Sequence, residues 1–286
     1  MGGKQKYVPE NKYMGRRTEI CAGEQIYGPE NGNISSRYET SSRKSLLGLS
    51  TFHTVHFTVM IKKDLIIQIR KEHHCRMTKP KWIDISQPLT NDMAHFPGDM
   101  PFDYSFTHTK KQTGLVNVGQ IAGSVHTGTH IDAPFHYDSN GKTVDQLDLN
   151  LYIGEAIVLD VSHTEKITAE TLQAFNLHGV TRVLLHTSLP NNPERFPEQM
   201  PELDTSIAEF LHENGVKLLG VDMPSVDPPE SQDLATHQAL YRHDIFILEN
   251  LMLDHITPGR YELIALPLAI SGADGSPVRA VLRQAG

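Results

Sequence analysis

From Trp82 onward the chain alternates short apolar runs with more polar stretches, and the two follow different periods. Runs at 82–85, 116–125, 156–161, 182–186, 216–221, 244–248 and 261–266 carry Val, Ile, Leu or aromatic residues over strand-like lengths. That pattern predicts strands. Segments 168–175, 206–214 and 231–242 predict helices. Thr168 can cap the first of these, with Thr171 three residues later in a capping-box position that Glu would fill better. Gly215 is placed to close the second. A few helices among many strands predict an α/β domain with mixed sheets. No fixed-period repeat follows residue 77.

The first part of the chain reads differently. Residues 1–45 are rich in Gly, Asn, Ser, Glu, Arg and Lys without a sustained period, which predicts disorder. Residues 46–69 are more apolar, and 57–61 has the composition of a strand. His53, His56, Lys62, Lys63 and Asp64 nevertheless break the stretch well short of the roughly 18 apolar residues that a membrane span needs. It also lacks the position and flanks of a secretory signal. Charge marks the same boundary: 13 Lys and Arg face 7 acids in residues 1–76, whereas 13 face 27 in residues 77–286. Met77 opens a segment that resembles a natural start. Residues 1–76 are therefore expected to be a basic, disordered extension foreign to the functional domain at 77–286, with a regulatory or targeting arm as the alternative.

Composition excludes little more. A net charge of −8 over 286 residues provides no overall electrostatic footprint for nucleic acid, and neither a nucleic-acid nor a membrane partner is expected. With Cys21 and Cys75 as the two cysteines, neither a disulfide framework nor a Cys-based zinc ribbon can form, and a reducing, cytoplasmic location is expected.

The densest chemistry follows the second predicted strand. His126-Thr127-Gly128-Thr129-His130-Ile131-Asp132-Ala133-Pro134-Phe135-His136 places three imidazoles and a carboxylate within eleven residues. Neutral imidazole and ionised carboxylate are the usual ligands of zinc and its divalent neighbours. His126 and His130 are four apart, a spacing that would put both on one helical face. Gly128 and Pro134 instead predict a loop that curls the ligands around an ion. His130 and Asp132 are two apart and point the same way if the segment is extended.

Two distal residues join these candidates. Glu249 sits among apolar neighbours in Leu248-Glu249-Asn250-Leu251, where a buried carboxylate needs a partner or a metal; the alternative is a salt bridge to Arg242 or Arg279. His237 lies on the third predicted helix, one of 16 histidines in the chain. His163, His178, His186, His212 and His243 have no ligand-like setting. Two ions sharing a carboxylate would acidify a bridging water and polarise a carbonyl, while a spare imidazole moved protons. His136, four residues beyond Asp132, suits that last role. The residues alone point to metal-assisted hydrolysis of a carbonyl compound.

The central run resembles the H-x-G-T-H-x-D-x-P-x-H signature of the metal-dependent cyclase-like hydrolases. Within that superfamily, residues 77–286 are most similar to the bacterial kynurenine formamidase family. Supporting stretches are 82–89, Pro97-Gly98-Asp99, 220–228, Ile247-Leu248-Glu249-Asn250 and Leu266-Pro267-Leu268. The resemblance implies a swivelling-domain-like β/β/α fold with mixed sheets and a few helices, a homodimer, and a site for two divalent ions, zinc or alternatively manganese. It implies that His126, His130 and Asp132 bind the first ion and that Asp132 bridges to the second. His237 and Glu249 supply the distal ligands, and His136 is the catalytic proton donor and acceptor. The family commonly has Trp before Pro-Gly-Asp, where an aromatic ring contacts substrate; this chain has Phe96, which keeps the aromatic face and loses the indole N–H.

The reaction so implied is hydrolysis of N-formyl-L-kynurenine to L-kynurenine and formate in tryptophan degradation. Metal-bound hydroxide attacks the formyl carbon, and His136 protonates the departing aryl amine. Another hydrolase of the superfamily could use the same centre on a cyclic amide such as isatin or on a different aryl amide. From a different class, the alternative is a metal-binding protein without turnover, against which the spare His136 speaks.

Overall fold

The structure is a computed structural model and describes residues 81–285. The expectations for residues 1–76, including the strand at 57–61, lie outside the described residues. In chain order the strands are β1 (Ile83–Asp84), β2 (Asp103–His108), β3 (Val118–Ala122), β4 (His130–Asp132), β5 (Ile153–Asp160), β6 (Lys166–Ile167) and β7 (Arg182–His186). They continue as β8 (Glu202–Leu203), β9 (Leu218–Val221), β10 (Phe246–Glu249), β11 (Gly259–Ile264), β12 (Gly275–Pro277) and β13 (Val281–Gln284). The α-helices are α1 (Lys110–Thr113), α2 (Ala169–Gln173), α3 (Ser206–Glu213) and α4 (Ala235–Arg242).

Among the described residues, nine strands form one mixed sheet in the order β1-β13-β11-β5-β7-β9-β10-β4-β12. Its centre, β5-β7-β9-β10, is parallel, and its flanks are antiparallel. The parallel order follows from the chain: β5, β7, β9 and β10 are separated by α2, α3 and α4, the crossovers that parallel pairing requires. The expected α/β architecture with mixed sheets and few helices is therefore observed.

Strand alternation divides the interior into two cores. Val183 and Leu185 join Leu159, Leu219, Val221 and Ile247 beneath Leu172 of α2, Ile207 and Leu211 of α3, and Leu240 of α4. Leu184, Leu218 and Leu248 belong to the other cluster, with Val158, Tyr152, Ile85, Leu263 and Leu282. Period-two side-chain direction is the cause. Burying both faces also explains why β7 and β9 read as continuous apolar runs.

The predicted helices are present but shorter. Thr168 caps α2, and Thr171 completes the capping box with a 3.2 Å bond to the Thr168 N–H, so a hydroxyl does the work expected of Glu. Gly215, at φ +80°, follows α3 and donates to the carbonyl of His212. The third helix begins at Ala235 rather than 231, because Leu234 has φ +48°, outside helical space.

The strand expected at 116–125 is β3, but it lies outside the main sheet. Among the described residues it pairs only with β2, and all five of its residues are exposed. Tyr104, Phe106, Leu115, Val116, Val118 and Ile121 leave this ribbon with a large apolar surface. Among the described residues, no helix is long and apolar enough to cross a membrane.

Gly220 of β9 is a tight point in the sheet: a Cβ there would sit 2.4 Å from Leu184 Cδ2 and 2.8 Å from Leu251 Cδ1. Gly220→Ala is expected to destabilise the protein by about 1–3 kcal/mol through overpacking. Chemical denaturation measures this, and an unchanged midpoint would show that these leucines yield freely.

Candidate metal centre

The eleven-residue run is a loop only as far as Thr129; His130–Asp132 is strand β4. Gly128 makes the approach at φ +65°, where an added Cβ would also lie 2.5 Å from Leu89 Cδ2. The Thr129 hydroxyl accepts from the Gln87 N–H and donates to the Asn250 carbonyl, and its own carbonyl accepts from the Val278 N–H. β4 is thus held between β10 and β12. Its register sets His130 opposite Glu249 and Asp132 opposite Ile247. Direct cross-strand partners share a face, as do residues two apart on a strand, so His130, Asp132 and Glu249 converge on one side. α4 brings in His237 from its first turn. Pro134 starts a 3₁₀ turn that ends on His136.

The six predicted site residues around these elements are assembled. Asp132 Oδ1 is 2.9 Å from His126 Nδ1 and 3.4 Å from His130 Nε2, while Oδ2 is 3.3 Å from His237 Nε2. Glu249 reaches His130 Nε2 at 3.2 Å and His237 Nε2 at 3.8 Å. The salt-bridge alternative for Glu249 is not what the structure contains: Arg279 pairs with Asp84, and Glu249 Oε1 accepts from the Val226 N–H. The rings of His126 and His136 lie 4.0 Å apart, and those of His136 and His237 6.1 Å apart. By proximity, the donor atoms form two groups that could each hold an ion: His126, Asp132 and His136, and His130, Asp132 and Glu249. Asp132 belongs to both.

Tautomers give this arrangement its chemical meaning. His130 Nδ1 faces the Gly128 carbonyl at 2.8 Å, and His237 Nδ1 faces the Asp227 carboxylate at 2.6 Å. Both partners only accept, so each Nδ1 carries a proton, and each Nε2 is directed at the oxygens of Asp132 and Glu249. Lone pairs facing carboxylates require a cation between them or a proton on each ring. Asp132 Oδ2, buried and without a hydrogen-bond donor, points to the same need.

Electrostatics agree. Burial works against charge on His130, but contacts with Asp132 and Glu249 hold its pKa up at about 10. His237 is also penalised by burial and is held up at about 10, chiefly by Asp132 and Asp227. Burial pushes the Asp132 carboxyl up, and the surrounding imidazoles bring it well below its usual value. His136 differs: burial lowers its pKa, and the neighbouring rings of His126 and His237 lower it further against the opposing pull of Asp132 and Glu249.

Phe96 lies on the wall of a cavity of about 780 Å³ that His126, His130, His136, His237 and Glu249 also line. Its ring meets Phe196 edge to face at 5.6 Å. Three contributors escaped the sequence reading. Asp227 accepts from the Thr236 and His237 N–H groups at the start of α4 as well as from the His237 ring. Asp274 Oδ2 lies 3.1 Å from His126 Nε2 and 3.5 Å from His136 Nδ1. Phe196 is the third. Asp227 stood within the stretch 220–228 and Asp274 had no sequence signal, since each meets its partner only through the fold. Asp227→Ala would strand three buried donors. A loss of about 3 kcal/mol is expected from breaking such a buried pair, read by urea denaturation; a loss below about 1 kcal/mol would show that His237 is held by other contacts.

Comparison with known proteins places this geometry in a family. Residues 83–228 match the Cyclase family model, described as "Putative cyclase". The kynurenine formamidase of Bacillus cytotoxicus is 55% identical over 207 residues, which cover 72% of this chain and 99% of that protein. The Bacillus cereus kynurenine formamidase matches to the same extent. A solved structure described as a predicted metal-dependent hydrolase, from Bacillus stearothermophilus, superposes with TM-score 0.61 at 26% identity, covering 71% of this chain and 97% of that one. Isatin hydrolase A from Labrenzia aggregata shares the fold, with TM-score 0.62 at 21% identity over 77% of this chain and 97% of its own. The chain belongs to the Cyclase family.

Proposed function

We propose that this chain is a metal-dependent arylformamidase that hydrolyses N-formyl-L-kynurenine to L-kynurenine and formate. The observation that carries the assignment is the 55% identity running along 99% of the kynurenine formamidases. The donor set supports the metal: His126, His130, Asp132, His237 and Glu249 would hold two divalent ions, with Asp132 between them. Zinc suits imidazole and carboxylate ligands, and manganese is the alternative. Bound there, the ions would acidify a water and polarise the formyl carbonyl.

The protein's own groups do the rest. His136, with its side chain about one-third exposed at 32%, faces the cavity beside the Asp274 carboxylate. It takes a proton from the attacking water and delivers it to the nitrogen of the departing aryl amine. Asp274 orients its ring from the Nδ1 side. Phe96 and Phe196 offer the aryl group an aromatic wall, in which Phe96 stands where the family commonly has Trp. Residues 77–286 form the catalytic domain, and residues 1–76 are dispensable for turnover.

The test follows kynurenine absorbance as N-formyl-L-kynurenine is hydrolysed. Turnover is expected to disappear on chelation and return with zinc, and protein starting at Met77 is expected to match the full chain. His136→Ala should lose about 10²–10⁴-fold in kcat while retaining its metal by elemental analysis. Full activity in that variant would remove His136 from the mechanism, and no turnover by metal-loaded wild-type protein would remove the substrate.

The partner proposed for the apolar β2–β3 ribbon is a second copy of this chain, because an isolated two-stranded ribbon is marginal in water and its exposed face is large. Light scattering is expected to give a dimer, and Val118→Asp with Ile121→Asp a monomer. A monomeric wild-type protein would overturn this.

A further inference from the structure

Resting on the formamidase assignment, we infer that Arg195 and Glu198 form a subsite for the α-amino-acid head of the substrate, Arg195 taking the carboxylate and Glu198 the ammonium. Carboxylates outnumber fixed cations in the cavity. Its lining includes the carboxylates of Asp99, Glu198, Asp222, Glu249 and Asp274, whereas Arg195 is its one Lys or Arg among the described residues. Beyond the imidazoles and ions of the metal centre, which the formyl group would occupy, Arg195 is the cation left for a substrate carboxylate.

Position fits the chemistry. Arg195 directly precedes Phe196, whose ring meets Phe96, so the cation and the aromatic wall belong to one loop. The backbone of that loop is tied down. Ala94 N–H donates to the Pro193 carbonyl at 2.8 Å, and Asn191 and Asp254 exchange hydrogen bonds of 3.1 and 3.0 Å. The Asn191 amide also donates to the Leu251 carbonyl, two residues beyond the strand that carries Glu249.

The two side chains, by contrast, are open. Arg195 and Glu198 pair with each other at 69% and 80% exposure. An exposed pair of this kind contributes about 1 kcal/mol or less. Its ends therefore separate readily around the two ends of a zwitterion, which repeats the charge pattern of the pair itself. A guanidinium also matches a carboxylate with two parallel N–H donors, a geometry that a lysine does not offer. The subsite would select aryl formamides that carry an α-amino acid over those that do not.

Steady-state kinetics on the zinc-loaded full chain test this with two substrates: N-formyl-L-kynurenine, and 2-formamidoacetophenone, which keeps the aryl formamide and the ketone but lacks the head. Arg195→Ala is expected to raise KM for the first about tenfold, the scale of one charge-assisted contact, with kcat little changed. The preference for the first substrate over the second, as a ratio of kcat/KM, then falls by the same factor. Arg195→Lys should recover part of it. Glu198→Gln should also lower the preference, and this effect should vanish against 4-(2-formamidophenyl)-4-oxobutanoate, which has the carboxylate without the ammonium. An unchanged preference in Arg195→Ala, or equal losses on both substrates, overturns the subsite. Wild-type protein inactive on both formamides would instead overturn the assignment on which it rests.

Discussion

Asp132 is one carboxylate, 1% exposed, within reach of three imidazoles. A buried charge is tolerated only when surrounding groups compensate it, and here the compensation extends outward. Each ring that faces Asp132 is steadied from behind by an acceptor: Asp274 for His126, the Gly128 carbonyl for His130, and Asp227 for His237. Asp227 at the same time satisfies the first N–H groups of α4, which a helix leaves unpaired at its start. A demand placed on one side chain thereby fixes a helix, a turn and two strands.

The parts of this fold legible in the sequence were those with local causes. The continuous apolar runs of β7 and β9 come from burial on both faces, and Thr168 marks the start of α2 with no help from the rest of the chain. The cluster of donors at 126–136 was legible because its residues are packed into neighbouring positions. β4 was not, because three residues are too few to show a period, and what makes them a strand is pairing with β10 and β12, more than a hundred residues away. Asp274 and Phe196 were silent for the same reason.

Glu249 shows how register settles an ambiguity that composition leaves open. A lone acid in an apolar run has two solutions, an arginine or a metal site. Because β10 runs antiparallel to β4 with Glu249 opposite His130, its carboxylate is delivered to the imidazoles, and Arg279 is left to pair with Asp84. Shifting that pairing by one residue would turn Glu249 to the opposite face.

β4 has a neighbour on each side, and the one that carries no donor to the cluster, β12, is the edge strand of the sheet. Asp274 directly precedes it and reaches both His126 and His136. Edges open before centres do when a protein unfolds locally. Fraying of β12 would therefore free two imidazoles from their common acceptor while the parallel middle of the sheet stayed intact.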